Sequence, residues 1–144
     1  MNVVVLAAGK GKRMHSSLPK VLQALAGRPL LDHVLDATAG LADHPRVVVI
    51  GHAADIVRKP YEGRTDIVFA LQQEQLGTGH ALMQALAAIN PEDPLTLVCL
   101  GDVPLLSPKT LMAMAEAGAD GSLVLLTVEL SDPTGYGRIV RNAS

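Results

Sequence analysis

Five short runs rich in β-branched and other apolar residues punctuate the chain: Asn2 to Ala7, Arg46 to Gly51, Thr65 to Leu71, Leu95 to Gly101 and Ser122 to Leu130. Runs this continuous predict strands buried on both faces. Between them the spacing turns helical. Leu30, Leu31, Val34, Leu35 and Thr38 give one apolar helix face, and Ala81, Leu82, Ala85, Leu86 and Ile89 give another. Ser107-Pro108 places a capping hydroxyl before a proline at the first helical position, and Gly118 is expected to end that helix in the left-handed conformation. Strand and helix in alternation predict an α/β layered fold, a mostly parallel sheet with helices on both faces and right-handed crossovers. Ligands of such sheets bind outside the carboxyl ends of the strands. Chemistry is therefore expected in the loops that begin at Ala8, Gly51, Gln72, Asp102 and Ser131.

Composition narrows the function. With 144 residues, 49% of them apolar, the chain has the material for one core, as a single domain or a piece of one. Twelve Lys and Arg against fourteen Asp and Glu leave a net charge of −2, so there is no bulk attraction to nucleic acid or to an anionic membrane. Any polyanion must be held locally. Phe69, Tyr61 and Tyr136 are the only aromatics, too few for a base-stacking platform. The single cysteine, Cys99, lies inside an apolar run and reads as a small core hydrophobe, consistent with a reducing compartment. Val3 to Ala8 is too short to span a membrane, and its basic residues follow it, whereas a signal peptide carries them in front. The expected location is the cytoplasm. Gly137 to Arg141 reads as the start of another strand, so the architecture is expected to continue.

The first loop is Leu6-Ala-Ala-Gly-Lys-Gly-Lys-Arg-Met14, followed by Leu18-Pro-Lys20. Two glycines after a buried strand let backbone N–H groups approach an anion, and Lys10, Lys12, Arg13 and Lys20 add positive charge. It has neither Walker spacing nor the third glycine of the dinucleotide fingerprint, where Met14 stands. A solvated basic turn is the plain alternative. Asp102, in Leu100-Gly-Asp-Val-Pro104, suits a Mg²⁺ shared with substrate phosphates, or else closes a turn before the proline. Gln72-Gln-Glu-Gln-Leu-Gly-Thr-Gly-His-Ala81 is dense in amides able to read a base edge, with Gly77 and Gly79 letting a ring lie close. Thr78 is positioned to cap the next helix, and His80 reads as a surface or packing residue. Asp132-Pro-Thr-Gly-Tyr-Gly-Arg138 is a tight loop, for a small polar ligand or simply as a turn. His15, His33, His44 and His52 lack zinc-ligand spacing with one another or with Cys99, and no Gly-x-Ser-x-Gly elbow supplies a hydrolase nucleophile.

Taken together in this order, these four motifs resemble the uridylyltransferase part of the bacterial bifunctional enzymes that make UDP-N-acetylglucosamine, within the sugar-phosphate nucleotidyltransferases. The resemblance covers essentially the whole chain. It implies a Rossmann-like nucleotidyltransferase fold, cut short at its C-terminal end, that joins UTP and N-acetylglucosamine 1-phosphate into UDP-N-acetylglucosamine and pyrophosphate. Residues 1–144 would then be the N-terminal part of the pyrophosphorylase domain. The remainder of that domain, with an Asn completing the metal site, would lie beyond Ser144. So would a β-helix domain that trimerises and acetylates glucosamine 1-phosphate with acetyl-CoA. By the same resemblance Leu6, Ala7, Ala8 and Gly9 hold the nucleotide, and Gln72 and Gly77 read uracil. Arg13 and Lys20 are the catalytic cations, Asp102 binds the Mg²⁺ cofactor, and Thr78 and Gly137 face the sugar. Leu100 stands where relatives commonly carry Tyr, so only backbone contacts are implied for Leu100-Gly101. The rival readings are a sister sugar-1-phosphate nucleotidyltransferase using another nucleotide, and a noncatalytic nucleotide-binding fragment.

Overall fold

The computed structural model describes residues 1–9, 11, 14 and 16–140. Four parallel strands form the central sheet: β1 (Asn2–Leu6), β4 (Arg46–Ile50), β5 (Ile67–Leu71) and β6 (Thr96–Leu100), in the order β5-β4-β1-β6. The small strands β2 (Ala24–Leu25) and β3 (Arg28–Pro29) make a separate antiparallel hairpin. Among the described residues four α-helices complete the layers: α1 (Leu30–Thr38), α2 (Ala54–Arg58), α3 (Thr78–Ala85) and α4 (Pro108–Ala117).

The continuous apolar runs are explained by position in the sheet. Every residue of the central strands β1 and β4 is buried, whereas β6, at one edge, alternates between exposed and buried and β5, at the other, buries only Ile67 and Ala70. Alternate side chains of one strand leave opposite faces. Val3, Val5, Val48, Ile50, Leu97 and Cys99 therefore join Leu31, Val34 and Leu35 of α1, Val57 of α2 and Leu111 of α4 in one core. Val4, Leu6, Val47, Val49 and Ala70 meet Ala81 and Ala85 of α3 on the other side. Val98 and Leu100 share that second face but reach beyond α3 and stay exposed.

The buried polar residues Thr38, Asn2 and Arg46 have hydrogen-bond partners. Thr38 Oγ1 donates to the Val34 carbonyl at 2.9 Å. Asn2 exchanges two hydrogen bonds with the Asn90 backbone, at 2.8 and 2.9 Å, tying the chain after α3 to the start of β1. The Arg46 guanidinium, 4% exposed as a residue, bonds the Leu35 carbonyl and the Asp66 carboxylate.

Several expectations are corrected. Ser122 to Leu130 is not a strand: among the described residues it pairs with no neighbour, and Leu123 and Val128 are 88% and 72% exposed. β-branched composition favours a strand only where a ladder and a packing face are available, and among the described residues this run has no ladder, with only Val124 half-buried beside Gly118. Gly137 to Val140 likewise carries no strand, and Arg141 lies outside the described residues. Ser107 caps α4 as expected, its Oγ accepting from the Thr110 N–H at 3.1 Å. Gly118, however, has φ −93° and ψ 3°. Its N–H is shared between the Met114 and Ala115 carbonyls, and the left-handed turn comes at Gly121, with φ +88°. Leu86, expected on the buried face of α3, caps its end and is exposed.

Candidate active site

The ladder hydrogen bonds run past the strand ends and bring the loops together. Ala7 N–H donates to Val49 O at 2.8 Å, Gln72 N–H to Ile50 O at 2.7 Å, and Gly101 N–H to Leu6 O at 2.9 Å. The chain segments that leave β1, β5 and β6 are thus locked side by side at the carboxyl edge of the sheet. There they enclose a cleft of about 710 Å³, a size that suits a small organic ligand.

Glycines make this crowding possible. A Cβ on Gly51 would lie 3.0 Å from Ala8 Cβ and 3.1 Å from Gln72 O. One on Gly101 would lie 3.2 Å from both Leu6 O and Val21 Cγ1. Gly11, at φ +57°, approaches the Lys20 Cβ within 3.0 Å of where its own Cβ would be. Lys20 opens a 3-10 turn, Lys20–Leu22, whose Val21 and Leu22 are buried anchors. They hold the lysine over the first loop, and from there its Nζ donates to Asp102 Oδ2 at 2.5 Å. The basic segment and the acid some eighty residues away therefore meet at one point. The pair is partly exposed, at 39% and 30%, so it contributes about 1 kcal/mol or less to stability and is free to exchange partners when a polyanion binds.

The opposite wall is α3 and the loop before it. Gly77 precedes the helix at φ +105° and ψ −179°, a conformation essentially reserved for glycine. Thr78 is the first helical residue, not the cap, and among the described residues its hydroxyl takes no hydrogen bond. The start of α3 lines the cleft through Gly77, Thr78 and Ala81. Gln72 is 2% exposed, and its amide nitrogen donates to Gly77 O at 3.2 Å and contacts His80 Nδ1 at 3.0 Å.

Of the expected site residues, Leu6, Ala7, Ala8, Gly9, Lys20, Gln72, Gly77, Thr78, Leu100 and Asp102 all line this cleft, and Gly101 lies directly behind it. Arg13, like Lys10 and Lys12, lies outside the described residues. Gly137 does not line the cleft. Its loop closes on itself instead: Asp132 Oδ1 accepts from the Thr134 N–H at 3.1 Å, and Arg138 donates to Pro133 O at 2.7 Å. The Thr134 contact holds the Asp132 carboxyl below its ordinary range. Gln75 of the amide-dense motif and Met14 of the first loop also line the cleft, as does Ala81.

Among the described residues no three His, Cys, Asp or Glu side chains gather into a metal cage, and Asp102 is the one carboxylate lining the cleft. Mg²⁺ commonly takes one or two protein carboxylates and fills its octahedron with water and phosphate oxygens. The donors therefore fit a Mg²⁺ that arrives with a nucleotide. Also among the described residues, no helix is long and apolar enough to cross a membrane.

Comparison with known proteins agrees with this geometry. Residues 3–138 match the MobA-like NTP transferase domain. The bifunctional protein GlmU of Cupriavidus metallidurans is 56% identical over all 144 residues, and that of Burkholderia orbicola 57%; the chain spans 31% of the length of each. Among solved structures, a nucleotidyl transferase from Methanothermobacter is similar with a TM-score of 0.71 and 27% identity, covering 80% of this chain and 56% of that one. Rv0371c of Mycobacterium tuberculosis, in its complex with manganese, is similar with a TM-score of 0.68 and 26% identity, covering 83% and 59%. With its parallel sheet, its glycine-lined cleft at the strand ends and this match along nearly its whole length, the chain belongs to the MobA-like NTP transferase domain family and is a homologue of the N-terminal region of the bifunctional GlmU proteins.

Proposed function

We propose that the chain carries the nucleotide half of an N-acetylglucosamine-1-phosphate uridylyltransferase, which takes UTP and N-acetylglucosamine 1-phosphate to UDP-N-acetylglucosamine and pyrophosphate. The observation that carries this reading is the meeting of Lys20 and Asp102 across one cleft with the buried Gln72. The backbone of Leu6 to Gly9 and the Lys20 ammonium take the triphosphate, and Gln72 with Gly77 takes the uracil. Thr78, at the mouth of α3, faces the sugar phosphate. An oxygen of the sugar phosphate attacks the α-phosphorus in line; one P–O bond forms as the bond to the β-phosphate breaks, and pyrophosphate leaves with the electron pair. Such chemistry depends on positioning and on neutralising charge, not on a protein nucleophile. Lys20 supports it by moving from Asp102 to the leaving pyrophosphate, with Arg13 as the second cation. Asp102, once released, is the carboxylate that would hold Mg²⁺, which when bound screens the phosphate oxygens.

The homology to bifunctional proteins further supports a cytoplasmic, trimeric whole protein that also acetylates glucosamine 1-phosphate from acetyl-CoA, feeding peptidoglycan and lipopolysaccharide precursor synthesis. Asp102→Ala in the full-length protein is expected to lower Mg²⁺-dependent pyrophosphate release by about a hundredfold or more. Turnover near that of wild type would refute the assignment. Comparing UTP with GTP, CTP and dTTP in the same assay separates the reading from a sister transferase.

A further inference from the structure

Gln72 and His80 stand eight residues apart, yet their side chains meet inside the cleft wall, and their contacts restrict the amide to one orientation. Gly77 O, 3.2 Å from the Gln72 amide nitrogen, is an acceptor only. Reversing the amide would set oxygen against oxygen, so the nitrogen stays on that side. The same nitrogen lies 3.0 Å from His80 Nδ1, which must then present its lone pair. A neutral imidazole has one lone pair and one N–H, so Nε2 carries the proton. Gln84 Nε2, placed 3.3 Å from His80 Nε2, competes for the same role as donor. That contact is the longer of the two, and Gln84, whose amide nitrogen also donates to the His80 carbonyl at 3.2 Å, keeps that bond and gives up the contact with Nε2.

With both N–H bonds of Gln72 engaged, the remaining group is Oε1. Among the described residues it takes no hydrogen bond, and the one sealed side-chain polar atom without a partner is Asp93 Oδ2. Gln72 Oε1 therefore retains access to the space its residue lines, which is the cleft. It offers an acceptor and no donor.

We infer that His80 is a positioning residue for base selection: it fixes the Gln72 amide so that Oε1 faces the base, favouring a pyrimidine with N–H at position 3 over one with a lone pair there. The inference rests on the uridylyl reading and deepens it. Uracil offers the N3–H that Oε1 needs. Cytosine brings a lone pair to the same place, and a site built to satisfy one pattern rejects the other because buried groups are left unpaired. Without His80 the amide is held by Gly77 O alone, and turning its NH₂ toward cytosine becomes less costly.

The test compares kcat/KM for UTP and CTP in the full-length protein for wild type, His80→Phe and His80→Asn, with a melting curve for each. His80→Phe keeps a ring but removes the acceptor, and the UTP-to-CTP ratio is expected to fall about tenfold or more, largely through KM. His80→Asn restores an acceptor at the position of Nδ1 and is expected to recover most of the ratio, whatever its kcat. If His80→Phe slows both nucleotides equally and leaves the ratio unchanged, the residue merely packs the helix and the inference is overturned. The same holds if His80→Asn behaves like His80→Phe. A wild-type protein with no preference for UTP overturns the uridylyl reading and this inference with it, whereas an unchanged ratio in a UTP-selective protein removes the inference alone.

Discussion

Gly51→Ala places a single methyl group where three cleft segments converge, so it tests whether the site is as tightly built as its distances indicate. The new Cβ would meet Ala8 Cβ at 3.0 Å, Gln72 O at 3.1 Å and Gln75 Nε2 at 3.1 Å. Only Gln75 is a flexible side-chain end; Ala8 and Gln72 can yield only by moving backbone. Those backbones are themselves pinned by the bond from Gln72 N–H to Ile50 O and by the extension of β1 alongside β4. Overpacking of this kind costs about 1–3 kcal/mol. Alanine returns about 0.4–1 kcal/mol by restricting the unfolded chain, since Gly51 does not occupy the left-handed region. The net expectation is a loss of about 1–2 kcal/mol, a drop in Tm of about 2–8 °C for a domain of this size. The displaced Gln72 should also weaken UTP binding several-fold, because the amide proposed to read the base moves with its backbone. Gly40→Ala is the control: its Cβ meets nothing within 4 Å, and it should match or slightly exceed wild type in stability. Calorimetric melting and UTP titration of the three proteins provide the measurement. If Gly51→Ala melts with Gly40→Ala and binds UTP like wild type, the cleft has slack and the packing argument fails.

Two further outcomes follow from buried and paired groups. Burial pushes the Cys99 thiol up to about 11, so at pH 8 roughly one molecule in a thousand carries the thiolate; alkylation of the native protein should proceed at the pace of unfolding, and labelling as fast as that of a free thiol would contradict the burial. Asp66, hydrogen-bonded first by Arg64 and also paired with Arg46, is held down at about 2 from an ordinary 3.8. Its folded value is depressed, so its stabilisation is full above 3.8 and disappears as pH falls through about 2. Asp66→Asn should therefore cost about 1 kcal/mol at neutral pH, a value discounted for the half-exposed carboxylate, and progressively less as pH falls from 3.8 through about 2. A deficit that does not shrink over that range would place the effect elsewhere.

The fold was legible where local pattern and burial agree. The unbroken apolar runs of β1 and β4 belong to the sheet centre, and Ser107-Pro108 capped its helix. Topology then did what no single motif could: parallel strands place successive loops at one edge, which is why Lys20 and Asp102 could be expected together. The misreadings lie where tertiary context decides. Ser122 to Leu130 has strand composition but no ladder, and Gly118 passes its left-handed role to Gly121. The β2–β3 hairpin and the five-residue α2 had no periodicity long enough to register, and α2 is preceded by Ala53 at φ 58°, which no residue preference would suggest. His80 was passed over because its partner comes from a loop folded back across the helix start, a contact that spacing along the sequence does not encode.

Whether the loops after β1, β5 and β6 form one nucleotide site is tested most directly by a crystal structure of the full-length protein with UTP and Mg²⁺. The triphosphate is expected along Leu6 to Gly11 with Lys20 drawn to it, the metal on Asp102, and uracil against Gln72. A nucleotide bound away from this cleft, or one whose phosphates leave the Lys20–Asp102 pair intact, would contradict that arrangement.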